Sequence, residues 1–138
     1  MRKFLLTMIL VFGFGMSVQT HTAQADDAAI QEVITAQIDA FRADDLDKAF
    51  SFASPMIKEI FGTADNFGLM VRQSYPMVWR PERVTFGDSQ TQGATIWQKV
   101  LFRDAEGKLF KFNYEMIRAG GGWQINSVSP LTLPELSV

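Results

Sequence analysis

The chain has 138 residues, a formal net charge of −2 at pH 7 and no cysteine. This length predicts one small domain with a single hydrophobic core. The absence of cysteine excludes disulfides, thiolate metal sites and a cysteine nucleophile. The slightly acidic balance argues against a general binder of nucleic acid or of anionic membranes.

The first 25 residues have the three parts of an export signal. Arg2 and Lys3 are basic, residues 4–16 form an uncharged and mostly apolar run, and residues 23–25 (Ala-Gln-Ala) give a small-x-small cleavage pattern. The apolar run is shorter than the roughly 20 residues that a membrane span needs. We therefore predict cleavage after Ala25, a periplasmic or secreted protein, and no membrane attachment after cleavage.

The only histidine, His21, lies inside this predicted signal. The mature chain, residues 26–138, then contains no histidine. This removes Ser-His catalysis and the commonest ligand of zinc and other transition metals. No EF-hand, P-loop or dinucleotide-binding motif is present. The motifs therefore predict no catalytic residue, no metal site and no cofactor.

The first half of the mature chain has the 3.6-residue period of helices. A long helix is predicted over residues 26–43, capped by Asp26 and Asp27, and shorter helices begin after Asp45, Ser54 and Thr63. Pro76 ends the last of them. The long helix presents one apolar stripe with a single polar residue, Gln37, in its middle. The apolar members of the stripe are Ile30, Val33, Ile34, Ile38 and Phe41.

From residue 83 the apolar period changes to two, which indicates strands. The predicted strands are 83–88, 95–104, 108–118 and 123–128, with a polar turn at 89–93 and a glycine turn at 120–122. Helices followed by an antiparallel meander predict an α+β fold, with the helices on one face of a curved four-stranded antiparallel sheet. The domain is expected over 26–129, followed by a loosely ordered tail, 130–138.

This order of elements, ending in GGWQINSV (121–128), resembles the cone-shaped nuclear-transport-factor-2-like superfamily, also called SnoaL-like. Within it, the chain resembles an exported bacterial family of unknown function. Three stretches carry this resemblance: FRADDLDKAFSFASPMIKEIFG (41–62), YPMVWRP (75–81) and WQKVLFRDAEG (97–107). The superfamily includes isomerases, dehydratases, cyclases and epoxide hydrolases as well as non-catalytic binding and dimerisation domains. Its enzymes generally place an Asp, or an Asp with a His, inside the cone. No position here matches such a motif, so the resemblance implies no catalytic residue.

The turns predict the strand register. Residues 104–108 suit a three-residue hairpin loop with Gly107 in the left-handed position. This loop places Phe102 opposite Phe110 and Gln98 opposite Tyr114. If Arg118 faces Trp123 across the glycine turn, Tyr114 faces Ser127. The inner face of the sheet then has one polar row, and Gln37 of the long helix faces the same interior. The residues predicted to form a ligand pocket are Gln37, Gln98, Tyr114 and Ser127.

Two interpretations of these four residues remain open. They form a pocket that orients a small ligand between apolar walls, or they satisfy one another and bind nothing. The bracketing prolines of YPMVWRP suggest a corner that also forms a pocket rim, with Tyr75, Trp79 and Arg80. Arg80 either meets an anionic ligand there or stacks on an aromatic ring.

Two further surfaces, an acidic run and the outer face of the sheet, bear on binding. The acidic residues Asp44, Asp45 and Asp47 fit no Ca²⁺ loop, and a helix cap explains them more simply. The outer face of the sheet carries Trp97 and Leu101 at its centre, which makes it a candidate partner face.

Three functions follow as alternatives. The first is a non-catalytic exported module that binds a small, partly apolar or amphipathic ligand in the cone. The second is an isomerase- or dehydratase-type enzyme that uses a carboxylate and a tyrosine. The third is a homodimerisation or interaction domain that uses the outer sheet face.

Overall fold

A computed structural model describes residues 19–133, with side chains from residue 23. Within these residues, five helices precede four strands. The helices are α1 (Gln19–Arg42), α2 (Leu46–Ser51), α3 (Pro55–Phe61), α4 (Ala64–Ser74) and α5 (Pro76–Trp79). The strands are β1 (Arg83–Gln92), β2 (Thr95–Arg103), β3 (Leu109–Ala119) and β4 (Gly122–Leu131). The predicted export signal falls mainly on residues 1–18, which lie outside the described residues.

The four strands form one antiparallel sheet in the order β1-β2-β3-β4, and the sheet is not closed. The helices pack against it, which confirms the predicted α+β fold. The core lies between the predicted stripe of α1 and the inner face of the sheet, where alternate residues of β2 and β3 are buried. No helix within residues 19–133 has the length and apolar character that a membrane crossing requires.

The start of α1 differs from the prediction. The helix begins at Gln19, so Asp26 and Asp27 lie inside it and do not cap it. Both carboxylates instead bind the sheet: Asp26 accepts a hydrogen bond from Arg118 at 2.8 Å, and Asp27 accepts one from Ser89 at 2.8 Å. The two carboxylates are suited to cap a helix, but residues far along the chain, Arg118 and Ser89, donate hydrogen bonds to them instead.

The three predicted caps of the shorter helices are confirmed. Asp45, Ser54 and Thr63 each accept a hydrogen bond from the backbone N–H three residues further on, at 3.2, 3.3 and 3.2 Å. Each bond satisfies a backbone donor that the first turn of a helix leaves free. The acidic run is thereby explained for Asp45. Pro76 ends α4 as predicted, and it also begins α5, a turn of helix that the sequence analysis missed.

The β2–β3 pairing has the predicted register. Gly107 is in the left-handed conformation with φ 84°, and Asp104 accepts from the backbone N–H of Lys108 at 2.8 Å. Gln98 lies opposite Tyr114, and Phe102 lies opposite Phe110, as expected from the loop length. Eight consecutive pairs follow without interruption.

The predicted β3–β4 register is correct at the turn and wrong beyond it. Met116 pairs with Ile125, but Glu115 then pairs with Ser127. Asn126 is therefore the extra residue of a β-bulge, which changes the face of every residue after it. Tyr114 lies opposite Val128, and the predicted pairing of Tyr114 with Ser127 is wrong.

The two outer strands are longer than predicted. β1 has an irregularity between Phe86 and Ser89 and continues to Gln92, so residues 89–92 belong to the strand and not to a turn. β4 continues to Leu131 and includes the first two residues of the predicted loose tail. The end of that tail, residues 134–138, lies outside the described residues.

Candidate functional site

A cavity of about 260 Å³ lies between the helices and the inner face of the sheet. It is lined by side chains from α1, α3, α4, α5, β3 and β4, and most of them are apolar. Because the elements that enclose it come from both halves of the chain, its shape depends on how the helices are placed on the sheet. The lining residues are Gln37, Phe41, Ala53, Ile57, Phe61, Phe67, Met70, Val71, Tyr75, Val78, Tyr114, Ile125, Ser127 and Val128.

Tyr114 is the most buried polar group of this lining. The residue has 0% exposure, and its hydroxyl has no hydrogen-bond partner among the described residues. It lies on the inner face because its neighbours at alternate positions, Phe112 and Met116, are core residues. Burial raises the pKa of the Tyr114 hydroxyl well above its usual range. The group is therefore neutral at physiological pH and can donate or accept one hydrogen bond.

Gln37 also lines the cavity, in the middle of the α1 stripe where the helical wheel predicts it. Its Nε2 donates to the carbonyl oxygen of Ala49 in α2 at 3.1 Å, and the residue is only 4% exposed. This bond fixes the amide and leaves Oε1 as the acceptor. Gln37 thus joins two helices and lines the cavity at the same time.

Gln98 is buried but does not line the cavity. Its Nε2 donates to the carbonyl oxygens of Gly87 at 2.8 Å and Lys99 at 2.9 Å. Gly87 lies at the irregularity of β1, where the regular ladder is interrupted. The Gln98 amide therefore hydrogen-bonds to a backbone group at the interruption, and the pocket residues predicted to converge do not all meet.

Ser127 contributes to the lining, but its hydroxyl belongs to the other side of the sheet. It donates to Glu115 Oε2 at 2.9 Å, and Val128 takes the inner position beside Tyr114. The predicted polar row of three inner residues is thus shortened to Gln98 and Tyr114. The physical reason is the bulge at Asn126, which shifts the alternation of β4 by one residue.

The predicted rim residues separate into two groups. Tyr75 lines the cavity, together with Val78 of the same stretch. Trp79 packs on Phe41 with ring centroids 5.3 Å apart and is not part of the lining. The segment 75–81 is therefore mainly a structural corner, as the prolines indicated.

Arg80 binds the end of α1 and does not reach the cavity. Its guanidinium donates to the backbone oxygen of Phe41 and to Asp44 Oδ1, the latter at 2.7 Å. It also lies 5.0 Å from the centre of the Trp79 ring, the stacked arrangement that the sequence offered as one interpretation. Because the guanidinium is occupied by α1, a role with an anionic ligand at the rim has no support from this geometry.

A polar network at the β4 bulge was missed by sequence reasoning. Ser54 Oγ donates to Asn126 Oδ1 at 2.8 Å, and Asn126 Nδ2 donates to Glu115 Oε1 at 2.9 Å. With Ser127 on the second oxygen, the Glu115 carboxylate holds both residues that form the bulge. The backbone continues the link, since Ser54 N donates to the carbonyl oxygen of Ile125 at 2.9 Å. We call these four residues, Ser54, Glu115, Asn126 and Ser127, the bulge network.

One signal in the sequence indicates this bulge. Ile125 and Val128 are apolar and three residues apart, whereas a regular strand places residues two apart on one face. A regular continuation would place Ser127 and Ser129 inside and Val128 outside. Inserting one residue returns Val128 to the apolar side, so the hydrophobic pattern itself favours the bulged register.

The predicted partner face lies on the opposite side of the sheet from the core. Trp97 pairs with Glu115, and Leu101 pairs with Lys111; all four are half-buried. A role of Trp97 and Leu101 in binding a partner stays a prediction. Among residues 19–133, no group of three acidic or histidine side chains is placed to hold a metal ion.

Comparison with family models assigns residues 23–137 to a domain of unknown function, DUF4864. The chain belongs to this family. The match covers nearly all of the DUF4864 fold described above, from the second turn of α1 to the segment after β4, and it agrees with the predicted membership in a family of unknown function. A comparison with curated proteins finds no match.

Proposed function

We propose that this DUF4864 domain is a non-catalytic module that binds a small, mostly apolar ligand in the cavity between its helices and its sheet. The observation that carries the proposal is the cavity itself, about 260 Å³ of partly open space lined mostly by apolar side chains. Protein interiors are otherwise packed as densely as organic crystals, and voids larger than a water molecule are few. A concave and mostly apolar cavity with a few polar groups is the usual form of a small-ligand site.

The size and the walls indicate the kind of ligand. Ligand pockets occupy roughly 300–1,000 Å³, so this cavity lies just below that range and suits a molecule of one or two rings. Aromatic side chains from three helices, Phe41, Phe61 and Phe67, form part of the wall. Such walls supply affinity through apolar burial, and a few polar groups then orient the ligand.

The same lining favours binding over proton transfer. General acid–base catalysis needs a positioned group that exchanges a proton near neutral pH. Within the described residues, the cavity is lined by no carboxylate, amine or guanidinium group. Tyr114 is held neutral by burial, which suits a hydrogen-bond donor and not a base. An isomerase or dehydratase mechanism with a carboxylate lacks its carboxylate here.

Two broader parts of the proposal come from the sequence. The order of helices and a four-stranded meander supports a relationship with the nuclear-transport-factor-2-like superfamily. The three-part N-terminal pattern supports export and cleavage after Ala25. Asp26 makes the first side-chain bond of α1 to the sheet, whereas residues 23–25 are exposed, so cleavage there would leave the packed body intact.

Native mass spectrometry of the full chain, expressed and purified from cells with an export pathway, tests the proposal directly. We expect a bound small molecule in addition to the mass of the chain from Asp26 onward. A matched pair of variants locates it. Val128→Trp fills the cavity and should remove the extra mass, whereas Ser129→Trp changes the next, exposed residue of the same strand and should retain it.

A thermal-shift series with small apolar probes complements the mass measurement. A ligand present at 100 times its dissociation constant stabilises a fold by about 2.7 kcal/mol, which raises the melting temperature by several degrees. A protein that carries no bound molecule and is stabilised by none of the probes would contradict the proposal. A start at Met1 in the mass spectrum would contradict export without affecting the cavity.

A further inference from the structure

We propose that the ligand of this cavity is an uncharged molecule with an apolar body and one hydroxyl or carbonyl oxygen, which hydrogen-bonds to the Tyr114 hydroxyl. The inference rests on the proposed function and names its ligand class. Two observations support it. Tyr114 and Gln37, the two buried polar side chains of the lining, are uncharged hydrogen-bonding groups, and the remaining lining residues are also uncharged.

The Tyr114 hydroxyl is a buried polar group without a partner. The residue is completely buried, lines the cavity, and its oxygen makes no hydrogen bond to any described residue. Buried polar groups in folded proteins are almost always hydrogen-bonded, because leaving one unpaired costs its full desolvation. A ligand oxygen beside this hydroxyl would satisfy it, which places the polar part of the ligand at the middle of β3.

Gln37 adds an acceptor of fixed orientation. Its Nε2 donates one of its two hydrogens to Ala49, which orients the amide, so Oε1 remains as an acceptor and the second N–H remains as a donor. A ligand hydroxyl donates to such an oxygen, and a hydroxyl or a carbonyl accepts from Tyr114. Neither contact involves an ionised group. Two neutral hydrogen-bonding groups therefore select a neutral polar group on the ligand.

The lining offers no partner for a charge on the ligand. The described cavity wall has no lysine, arginine, aspartate or glutamate that would pair with an ionised group. An ion without a partner in an apolar cavity is strongly disfavoured, because it loses its hydration and gains nothing in exchange. Arg80, which the sequence suggested as a partner for an anionic ligand, is bound to Phe41 and Asp44 instead. A carboxylate ligand would have no counter-ion.

Three probes with the same ring system separate the alternatives: naphthalene, 2-naphthol and 2-naphthoate, which at pH 7 are apolar, neutral polar and anionic. Dissociation constants are measured by NMR titration of the full chain. We expect 2-naphthol to bind about three- to tenfold more tightly than naphthalene, the ratio that one neutral hydrogen bond provides. We expect 2-naphthoate to bind at least about tenfold more weakly than 2-naphthol, since a buried unpaired charge costs more than that bond provides.

A tyrosine variant assigns the preference to one hydroxyl. Tyr114→Phe should lower the ratio of naphthalene to 2-naphthol dissociation constants clearly below its wild-type value, because only the Gln37 amide then remains as a partner, while naphthalene still binds. Ser129→Ala is the control, because it removes an exposed hydroxyl of β4 that lies outside the cavity lining. This variant should keep the wild-type ratio.

The outcomes distinguish this inference from the proposed function. If none of the three probes binds the wild-type chain, the cavity is not a ligand site and both proposals are overturned. If naphthalene binds but 2-naphthol has no advantage, or if 2-naphthoate binds most tightly, binding stands and the neutral-ligand inference is overturned. The neutral-ligand inference is also overturned, and binding stands, if Tyr114→Phe keeps the wild-type ratio of dissociation constants. The comparison of the three probes on the unmodified protein needs no variant to fold.

Discussion

The two strand pairings of β3 differ in how they are determined. On one side, β2 and β3 pair without interruption, and a five-residue turn motif is sufficient to predict every pair. On the other side, β3 and β4 begin in register at the glycine turn and then shift by one residue at Asn126. β3 therefore takes part in two pairings. Local turn chemistry determines the register with β2, whereas contacts far from the turn determine the register with β4.

The difference shows what holds a bulge in place. An extra residue interrupts the ladder, so its polar groups need other partners. The bulge network supplies them through Ser54, which lies more than 70 residues before Asn126 in the chain. The consequence for the cavity is direct, because the shift places Val128 and not Ser127 beside Tyr114. The outer network thereby determines the polarity of the inner wall.

Single-residue deletions provide the largest test of this comparison. Deleting Lys99 from β2 should abolish cooperative folding, because it sends the inner residues on one side of the deletion to the outer face. Deleting Asn126 from β4 should preserve the fold at a cost of about 1–3 kcal/mol, since Glu115 and Ser127 remain opposite each other without the extra residue. Urea unfolding followed by circular dichroism measures both. Equal damage from the two deletions would refute the assignment of Asn126 as the inserted residue.

Removal of the Ser54 hydroxyl should have the next largest effect. Ser54→Ala loses the cap of α3 and the bond to Asn126, and we expect a loss of about 1–2 kcal/mol in the free energy of unfolding. Thr63→Ala is the control, because it removes the same type of cap from α4 without any bond to the sheet. Chemical denaturation gives both values. If the Thr63 variant loses as much as the Ser54 variant, the bond to Asn126 contributes nothing measurable.

A smaller effect is expected from Glu115→Gln. The amide can keep both contacts, because its NH₂ group can donate to the Ser127 hydroxyl, but both hydrogen bonds lose the charge of the carboxylate, at a cost of about 0.5–1.5 kcal/mol. Glu106→Gln makes the same change at an exposed position in the β2–β3 turn and should cost close to nothing. An unchanged stability in the Glu115 variant would show that the charge of this carboxylate contributes nothing measurable at the bulge.

The smallest effect at neutral pH is expected from Tyr114→Phe, which removes a buried hydroxyl without a protein partner and should change the free energy of unfolding by less than about 1 kcal/mol. The effect appears at high pH. Because burial raises the pKa of Tyr114 in the folded state, the folded chain holds this proton more tightly than the unfolded chain. The stability from this source is fully present below pH about 10, the ordinary pKa of tyrosine, and decreases as the pH rises above it.

Denaturant titrations at several alkaline pH values measure this decline. The Tyr114→Phe variant should lose less stability between neutral and strongly alkaline pH than the wild-type chain does. Tyr75→Phe serves as the matched control and should follow the wild type. A decline that is identical in the Tyr114 variant would contradict the burial of an isolated hydroxyl at this position.

Much of the framework follows from the sequence alone. Apolar periodicity predicts the α1 stripe with Gln37 in it, cap residues predict where α2, α3 and α4 begin, and the loop around Gly107 predicts the β2–β3 register. These features depend on residues within a few positions of one another. Local steric and hydrogen-bonding preferences are therefore sufficient to determine them.

The composition of the candidate site was decided by the tertiary structure. Gln98 hydrogen-bonds to the backbone at the irregularity of β1, and Ser127 hydrogen-bonds to Glu115. Arg80 hydrogen-bonds to Asp44, just after the end of α1. Only the packing of helices on the sheet creates the cavity and leaves the Tyr114 hydroxyl without a partner. The sequence determined which residues face inward up to the bulge. Hydrogen bonds between residues distant in the chain decided the rest.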